Sequence, residues 1–315
     1  MATSSAGAGR VVISGGAGFV GRAVVSAFAS RGHPITVVDR RPHPDPAVRS
    51  VVGELTDPQV VADALRGAEV AGVVHLAAIT SVLRSVQHPV ATYQTNVAVT
   101  QELLEACRQA GVDRFIMAST NAVVGDIGYA IMDEAAALHP LTPYGATKAA
   151  AEMLLHGYAG AYGMATSALR FTNIYGPGMQ HKDSFVPRLM RAALSGAGVQ
   201  IYGDGLQRRD LVYLDDAVAG VLAAWDRRFI GAAIIGSGSS VTVLELVDLV
   251  RKVTGWPLPA EHVAPKPGEM PAVIVDISRA REQLGYQPAV ALIDGLATVW
   301  QDAREWRYTG SVQGR

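Results

Sequence analysis

The stretch Val11-Val12-Ile13-Ser14-Gly15-Gly16-Ala17-Gly18-Phe19-Val20-Gly21 constrains this chain more than any other. A short β-branched apolar run breaks into glycines and passes without a pause into an amphipathic segment over 22–28. Strand, glycine-rich turn and helix in that order make a phosphate-binding βα unit. Gly15 permits the tight turn, Gly18 lacks the Cβ that would keep a diphosphate off the backbone, and Gly21 lets the helix lie close on the strand. Phe19 and Val20, at the head of the helix, present N–H groups and the positive end of its dipole. The stretch predicts a dinucleotide site; a purely structural βα turn is the competing reading.

A second buried run, Ile35-Thr36-Val37-Val38, ends at Asp39. A carboxylate at that strand edge accepts hydrogen bonds from the adenosine ribose and repels a 2′-phosphate, so NAD is favoured over NADP. Arg40 and Arg41 pull the other way, because basic residues there serve a 2′-phosphate. Glu54 and Leu55, after the next apolar run, are candidates to flank the adenine. A strand over 70–76 leads into Leu76-Ala77-Ala78, small residues that let a cofactor lie across the sheet edge. His75 reads as a satisfied buried histidine. A long helix is expected over 89–110, with Asn96 on its inner side as a cofactor-supporting amide, and the next strand ends at Ser119-Thr120. Strands that are apolar throughout, alternating with helices, predict an α/β fold of Rossmann type, a doubly wound parallel sheet. With 315 residues, 49% of them apolar, the chain can build one large domain or two intimate ones.

Charge and cysteine usage exclude other classes. The net charge of −1 leaves no footprint for nucleic acid or an anionic membrane. The single cysteine, Cys107, excludes an internal disulfide and points to a reducing compartment, with the cytoplasm as the default. It falls on an apolar helix face with Leu103 and Leu104, as a core residue would. The histidines show no metal-ligand spacing, so no metal is expected. The first nine residues read as a frayed end without the features of a signal peptide.

Chemistry enters at Pro143-Tyr144-Gly145-Ala146-Thr147-Lys148. Tyr144 and Lys148 share one helical face. Free tyrosine, with a pKa of about 10, is too weak a base at neutral pH. A neighbouring ammonium and a positive nicotinamide ring both favour tyrosinate. Tyr144 would then take a proton from a sugar hydroxyl as hydride leaves the same carbon, and Thr120 would hold that oxygen in line. Lys148 would also contact the nicotinamide ribose. A surface Tyr–Lys pair is the bland alternative.

With these pieces the chain resembles the extended short-chain dehydrogenase/reductases, and among them the NAD-dependent nucleotide-sugar epimerases and dehydratases. Further matching pieces are Arg170-Phe171-Thr172-Asn173-Ile174-Tyr175-Gly176-Pro177-Gly178, the run from Arg209 to Asp216, and the ending Pro267-Gly268-Glu269, Leu284-Gly285-Tyr286, Gly295-Leu296 and Trp300. The resemblance implies a seven-stranded NAD-binding domain over 1–173, to which 212–229 returns, and a smaller α/β substrate-binding domain over most of 174–315. It implies that Asn173 and Arg209 bind the diphosphate of a UDP-sugar or dTDP-sugar. Val186, with Phe185, Pro187 and Leu189, would lie near the base; Gln200 and Tyr202 would sit beside it, and Lys266 would stand at a phosphate-binding position. It also implies a homodimer built on the helices over 89–110 and 144–162.

Dehydratases and decarboxylases of the group carry an acidic residue just after the Thr120 position, where this chain has Asn121-Ala122. That favours epimerisation at C4 of a UDP-hexose or UDP-hexuronate. A 4,6-dehydratase, a 4-ketoreductase and a non-catalytic NAD-binding regulator are the alternatives. For a hexuronate carboxylate the candidate partners are Ser81, Arg84, Asn121 and Lys182. Val124 replaces the usual aromatic, which is expected to alter one pocket wall.

Overall fold

The β-branched runs fold as strands and the segments of helical period between them as helices. The computed structural model describes residues 9–67, 69–265 and 270–306. In chain order the first half comprises β1 (Arg10–Ser14), α1 (Phe19–Ser30), β2 (Ile35–Asp39), β3 (Arg49–Val52), α2 (Pro58–Leu65), β4 (Val70–His75), α3 (Val82–Gln87), α4 (Pro89–Tyr93), α5 (Val99–Gln109), β5 (Arg114–Thr120), β6 (Ile131–Met132), α6 (Pro143–Tyr162) and β7 (Ala165–Phe171). There follow β8 (Asn173–Tyr175), α7 (Phe185–Ser195), β9 (Val199–Tyr202), β10 (Arg208–Tyr213), α8 (Leu214–Asp226), β11 (Gly231–Ile235), β12 (Ser240–Thr242), α9 (Val243–Thr254), β13 (Ala260–Val263), β14 (Ile274–Val275) and α10 (Leu292–Ala303).

Seven strands form one sheet, parallel throughout, in the order β11-β7-β5-β4-β1-β2-β3. The order reverses between β1 and β4, and an open α/β sheet binds its ligands in the crevice at that reversal, beyond the carboxyl ends of the strands. Strand pleating sends Val11 and Ile13 into a core with α1 and α8, and Val12 into the opposite core with α2, α5 and α6. Cys107 is buried in that second core, where burial pushes its thiol up to about 12. Among the described residues no helix is long and apolar enough to cross a membrane.

The sheet boundary differs from the expected one. The return over 212–229 stops short of β11, which is the seventh strand and pairs with β7. Ala233, Ile234 and Ile235 are fully buried in the core beneath α8, so they need a strand position inside the sheet domain. β10 instead joins β8 and β12 in a separate three-stranded sheet, and β9 pairs with β13. These elements, with α7, α9 and α10, enclose a core of their own around Tyr175, Leu189, Met190, Val250 and Leu296.

The helix expected over 89–110 is interrupted. Between α4 and α5 the segment Gln94–Ala98 is a π-turn, closed by the Val99 N–H on the Gln94 carbonyl. The Thr100 hydroxyl takes the Asn96 carbonyl at 2.8 Å, which helps to divert the regular helical bonding. Residues 1–8, where a frayed end was expected, lie outside the described residues.

Candidate active site

The glycine-rich turn is shaped by what it cannot accommodate. Gly15 has φ +73°, and a Cβ there would stand 2.7 Å from the Ala77 amide nitrogen. A Cβ on Gly21 would run into the Gly15 carbonyl. Gly18 is the N-cap of α1 and offers no side-chain cap, and the first turn carries no acid. The amides of that turn therefore remain available to an anion. At the tip of β2, Asp39 accepts the Ala17 N–H at 3.1 Å and so ties the second strand to the turn. These features fit a dinucleotide diphosphate with its adenosine towards Asp39.

A cleft of about 1830 Å³ runs from this turn to the second domain, larger than a single small-ligand pocket. At one end Gly15, Gly18, Phe19 and Val20 line it, followed by Asp39, Arg40, Glu54 and Leu55. Leu76, Ala77, Ala78 and Ser81 line it beyond β4. Thr120, Tyr144 and Lys148 meet at its centre, and Asn173, Val186, Gln200, Tyr202 and Arg209 line the far end.

The central residues are held by a polar scaffold. Thr142 caps α6 by accepting the Gly145 N–H at 3.2 Å, and Pro143 occupies a position where no helical N–H is needed. Tyr144 follows in the first turn. Its N–H donates to Ser85 Oγ at 3.1 Å, and its carbonyl accepts from the Thr147 hydroxyl at 2.9 Å. Burial raises the Tyr144 phenol above the ordinary tyrosine value, and a side-chain hydrogen bond with Thr120 opposes it. The lowering expected from Lys148 is thus not produced by the protein groups alone.

Lys148, one turn further on, is 2% exposed. Burial pushes its ammonium down to about 8, and the Glu152 carboxylate works to hold it up. Glu152 is fixed by Arg170 through Nε (3.1 and 3.2 Å) and Nη2 (2.8 Å), and by the Ser119 hydroxyl at 2.5 Å. His75 is driven down to about 3 by burial and then by Lys148, so it is neutral. The Thr100 hydroxyl donates to Asn96 and therefore accepts from His75 Nε2 at 3.2 Å, while the Ser14 hydroxyl donates to Nδ1 at 2.6 Å. His75 is the satisfied core histidine that was expected.

Several expected site residues lie elsewhere. Asn96 is fully buried and does not reach the cleft. Its amide accepts the Ile79 N–H at 2.8 Å and donates to the Ile79 carbonyl and to Thr147, both at 3.1 Å. It fastens the loop after β4 to the helix bearing Tyr144, and both of its N–H donors are committed there. Its neighbour Thr95 lines the cleft instead, because the π-turn shifts the phase of the helix. Asn121 and Val124 are buried next to Thr120, behind the residues that line the cleft. Pro187 likewise faces away, and Lys266 lies outside the described residues.

At the far end Arg209 lines the cleft while Asp210 is turned inward, as strand alternation requires. Asp210 accepts from the Thr172 hydroxyl (2.7 Å), both Ser237 groups (2.9 and 2.8 Å) and the Ser239 N–H (3.2 Å), so it is a structural knot. Asn173 donates to the Asp210 carbonyl at 2.9 Å. Sequence reasoning did not pick out Ser85, Thr95 or the role of Glu152. Only Glu152 left a local signal, one helical turn after Lys148.

A model of the NAD dependent epimerase/dehydratase family matches residues 11–233. The dTDP-glucose 4,6-dehydratase of Streptomyces niveus is 31% identical, with 94% of each chain covered. The structure of a UDP-glucose 4-epimerase from Thermotoga maritima with UDP-glucose superposes with a TM-score of 0.90 at 31% identity, covering 94% of this chain and 98% of that one. MoeE5 in complex with UDP-glucuronic acid and NAD gives 0.87 at 36% identity, covering 94% and 99%. Fold, glycine cradle and matched length agree: the chain belongs to the NAD-dependent epimerase/dehydratase family of nucleotide-sugar enzymes, and its cofactor is NAD.

Proposed function

We propose that the protein is a nucleotide-sugar 4-epimerase acting on a UDP-hexose or UDP-hexuronate. The observation that carries this reading is the set of carboxylates around the cleft. Among the described residues they are Asp39 and Glu54, on the strand-end side of β2 and β3, and Asp183 and Glu261, in the second domain. The end of β5, where Thr120 stands, carries none. Elimination of water needs an acid beside the reacting carbons, whereas epimerisation needs only Thr120, Tyr144 and Lys148. Glu152 is no substitute, because it lies behind Lys148 and is bound to Arg170 and Ser119.

Tyr144 takes the proton from the C4 hydroxyl, Thr120 holds the same oxygen, and Lys148 favours the phenolate. NAD, held by the turn over 15–21 and by Asp39, would supply a reversible hydride acceptor at C4. Arg209 and Asn173 hold the diphosphate while the 4-keto sugar turns over, and Val186, Gln200 and Tyr202 surround the base. Kinship with proteins described as binding UDP-glucose and UDP-glucuronic acid supports the substrate class. A homodimer fits the same reading, with Met153 and Tyr162 exposed on α6, and light scattering of the purified protein checks it.

Proton NMR of the protein with UDP-glucose, UDP-glucuronate or dTDP-glucose, without added coenzyme, tests the reaction. Inversion at C4 of a UDP-sugar, lost in Tyr144→Phe while NAD stays bound, is the expected result. A 4-keto-6-deoxy product would overturn it in favour of dehydration, and full activity of the Tyr144 variant would remove the proposed base.

A further inference from the structure

We propose that Lys182 reaches across the cleft from the substrate-binding domain to the diphosphate of NAD, so that this domain helps to retain the cofactor. The proposal rests on the cofactor assignment and is independent of which sugar reaction follows.

Lys182 belongs to the loop after β8, which the second domain holds in place. The Gly178 N–H donates to Asp302 Oδ2 on α10 at 2.8 Å. Arg191 on α7 donates to the carbonyls of Gln180 (3.2 Å) and Lys182 (3.1 Å). The Lys182 N–H closes the turn on the Met179 carbonyl at 2.9 Å. From this anchored backbone the Lys182 ammonium lies 5.7 Å from the centre of the Phe19 ring. Phe19 is the first residue of α1, the helix whose uncapped opening amides are available to the diphosphate. The loop also approaches α1 at Gly178, where a Cβ would stand 3.6 Å from the Arg22 guanidinium.

The electrostatics at this contact call for an anion. The first turn of α1 has no acid, and Lys182 forms no ion pair with a described carboxylate. The adjacent Asp183 is engaged by Arg188 at 2.6 Å and Arg191 at 3.8 Å. An ammonium and the positive end of a helix dipole thus face one space, an arrangement that a dinucleotide diphosphate relieves. Lys182 lines the cleft from an exposed loop, and partial desolvation on the cleft side lowers its ammonium. The sugar nucleotide's diphosphate has another cation, Arg209, at the far end of the cleft.

The test measures cofactor binding directly. Wild type, Lys182→Met and Lys182→Arg are compared for NAD content after purification, NAD release rate, and affinity for ADP-ribose and for adenosine. Loss of one charge-assisted contact weakens NAD and ADP-ribose about tenfold or more. Adenosine binding stays constant, and the arginine variant retains most of the affinity. Constant adenosine binding also shows that the methionine variant is folded. Unchanged NAD and ADP-ribose affinity overturns the proposal, whether or not the KM for a UDP-sugar rises; a rise would assign Lys182 to the substrate. A protein that binds NAD as described yet epimerises no sugar would refute the proposed reaction and leave this inference standing.

Discussion

Replacing Glu152 by Gln tests whether the buried charges behind Lys148 set the working pH. Glu152 and Arg170 are each 4% exposed at the side chain, and the pair is closed by three short contacts and by Ser119. Removing one partner strands the other charge in the core, at a cost of about 3–5 kcal/mol. A thermal melt should therefore fall by roughly 6–10 °C. The kinetic effect is separate. Activity that needs the Lys148 ammonium is complete below its pKa of about 8 and lost as pH rises through it. Glu152 stabilises the charged form, so its removal brings that loss to lower pH. Two charges about one helical turn apart, at an effective dielectric constant of about 20, interact by roughly 3 kcal/mol, enough to move the alkaline limb of kcat by more than about one pH unit. The double variant Glu152→Gln, Arg170→Met should recover much of the stability, because no charge is stranded, yet keep the shifted limb. An alkaline limb unmoved in both variants would refute the reasoning, and a melt lowered in the single variant alone would then reduce the cluster to packing.

Asn96→Ala removes the side-chain partners of both the Ile79 N–H and the Ile79 carbonyl, so unfolding in urea should show a loss of about 1–3 kcal/mol. Its kcat should fall with little change in the KM for the sugar nucleotide, since Asn96 is buried behind the cleft wall. Gly21→Ala drives a Cβ into the Gly15 carbonyl, and the purified protein should contain no NAD by absorbance. Asp39→Ala removes both the acceptor for the Ala17 N–H and the carboxylate that disfavours a 2′-phosphate. Titration should show NAD binding weakened and the NADP-to-NAD affinity ratio raised, with Arg40 and Arg41 alongside.

Features carried by neighbours in the chain were legible from residues alone. The glycine turn, Asp39 at the tip of β2, and Tyr144 with Lys148 one turn apart are each local geometries, and all lie on the cleft where expected. Asn96 shows the limit of that reading. A uniform helix places it on the inner side, but the π-turn changes the phase, so Thr95 faces the cleft and Asn96 is consumed by Ile79 and Thr147. The final strand of the sheet was missed because its place is set by burial beneath α8 and by pairing with β7, which no local pattern records.

By itself, then, the amino-acid order determined the dinucleotide cradle, the parallel sheet and the placing of Tyr144 and Lys148 on one helical face, because each depends on spacings within a single turn or strand. The tertiary structure decided what surrounds them. It brought Ser119, Glu152 and Arg170 from three elements beneath Lys148, seated His75 between Ser14 and Thr100, and carried Lys182 to Phe19 across the cleft. The protonation states and grip of the site come from these contacts, because electrostatic interactions follow distance and burial in the folded chain, not separation along it.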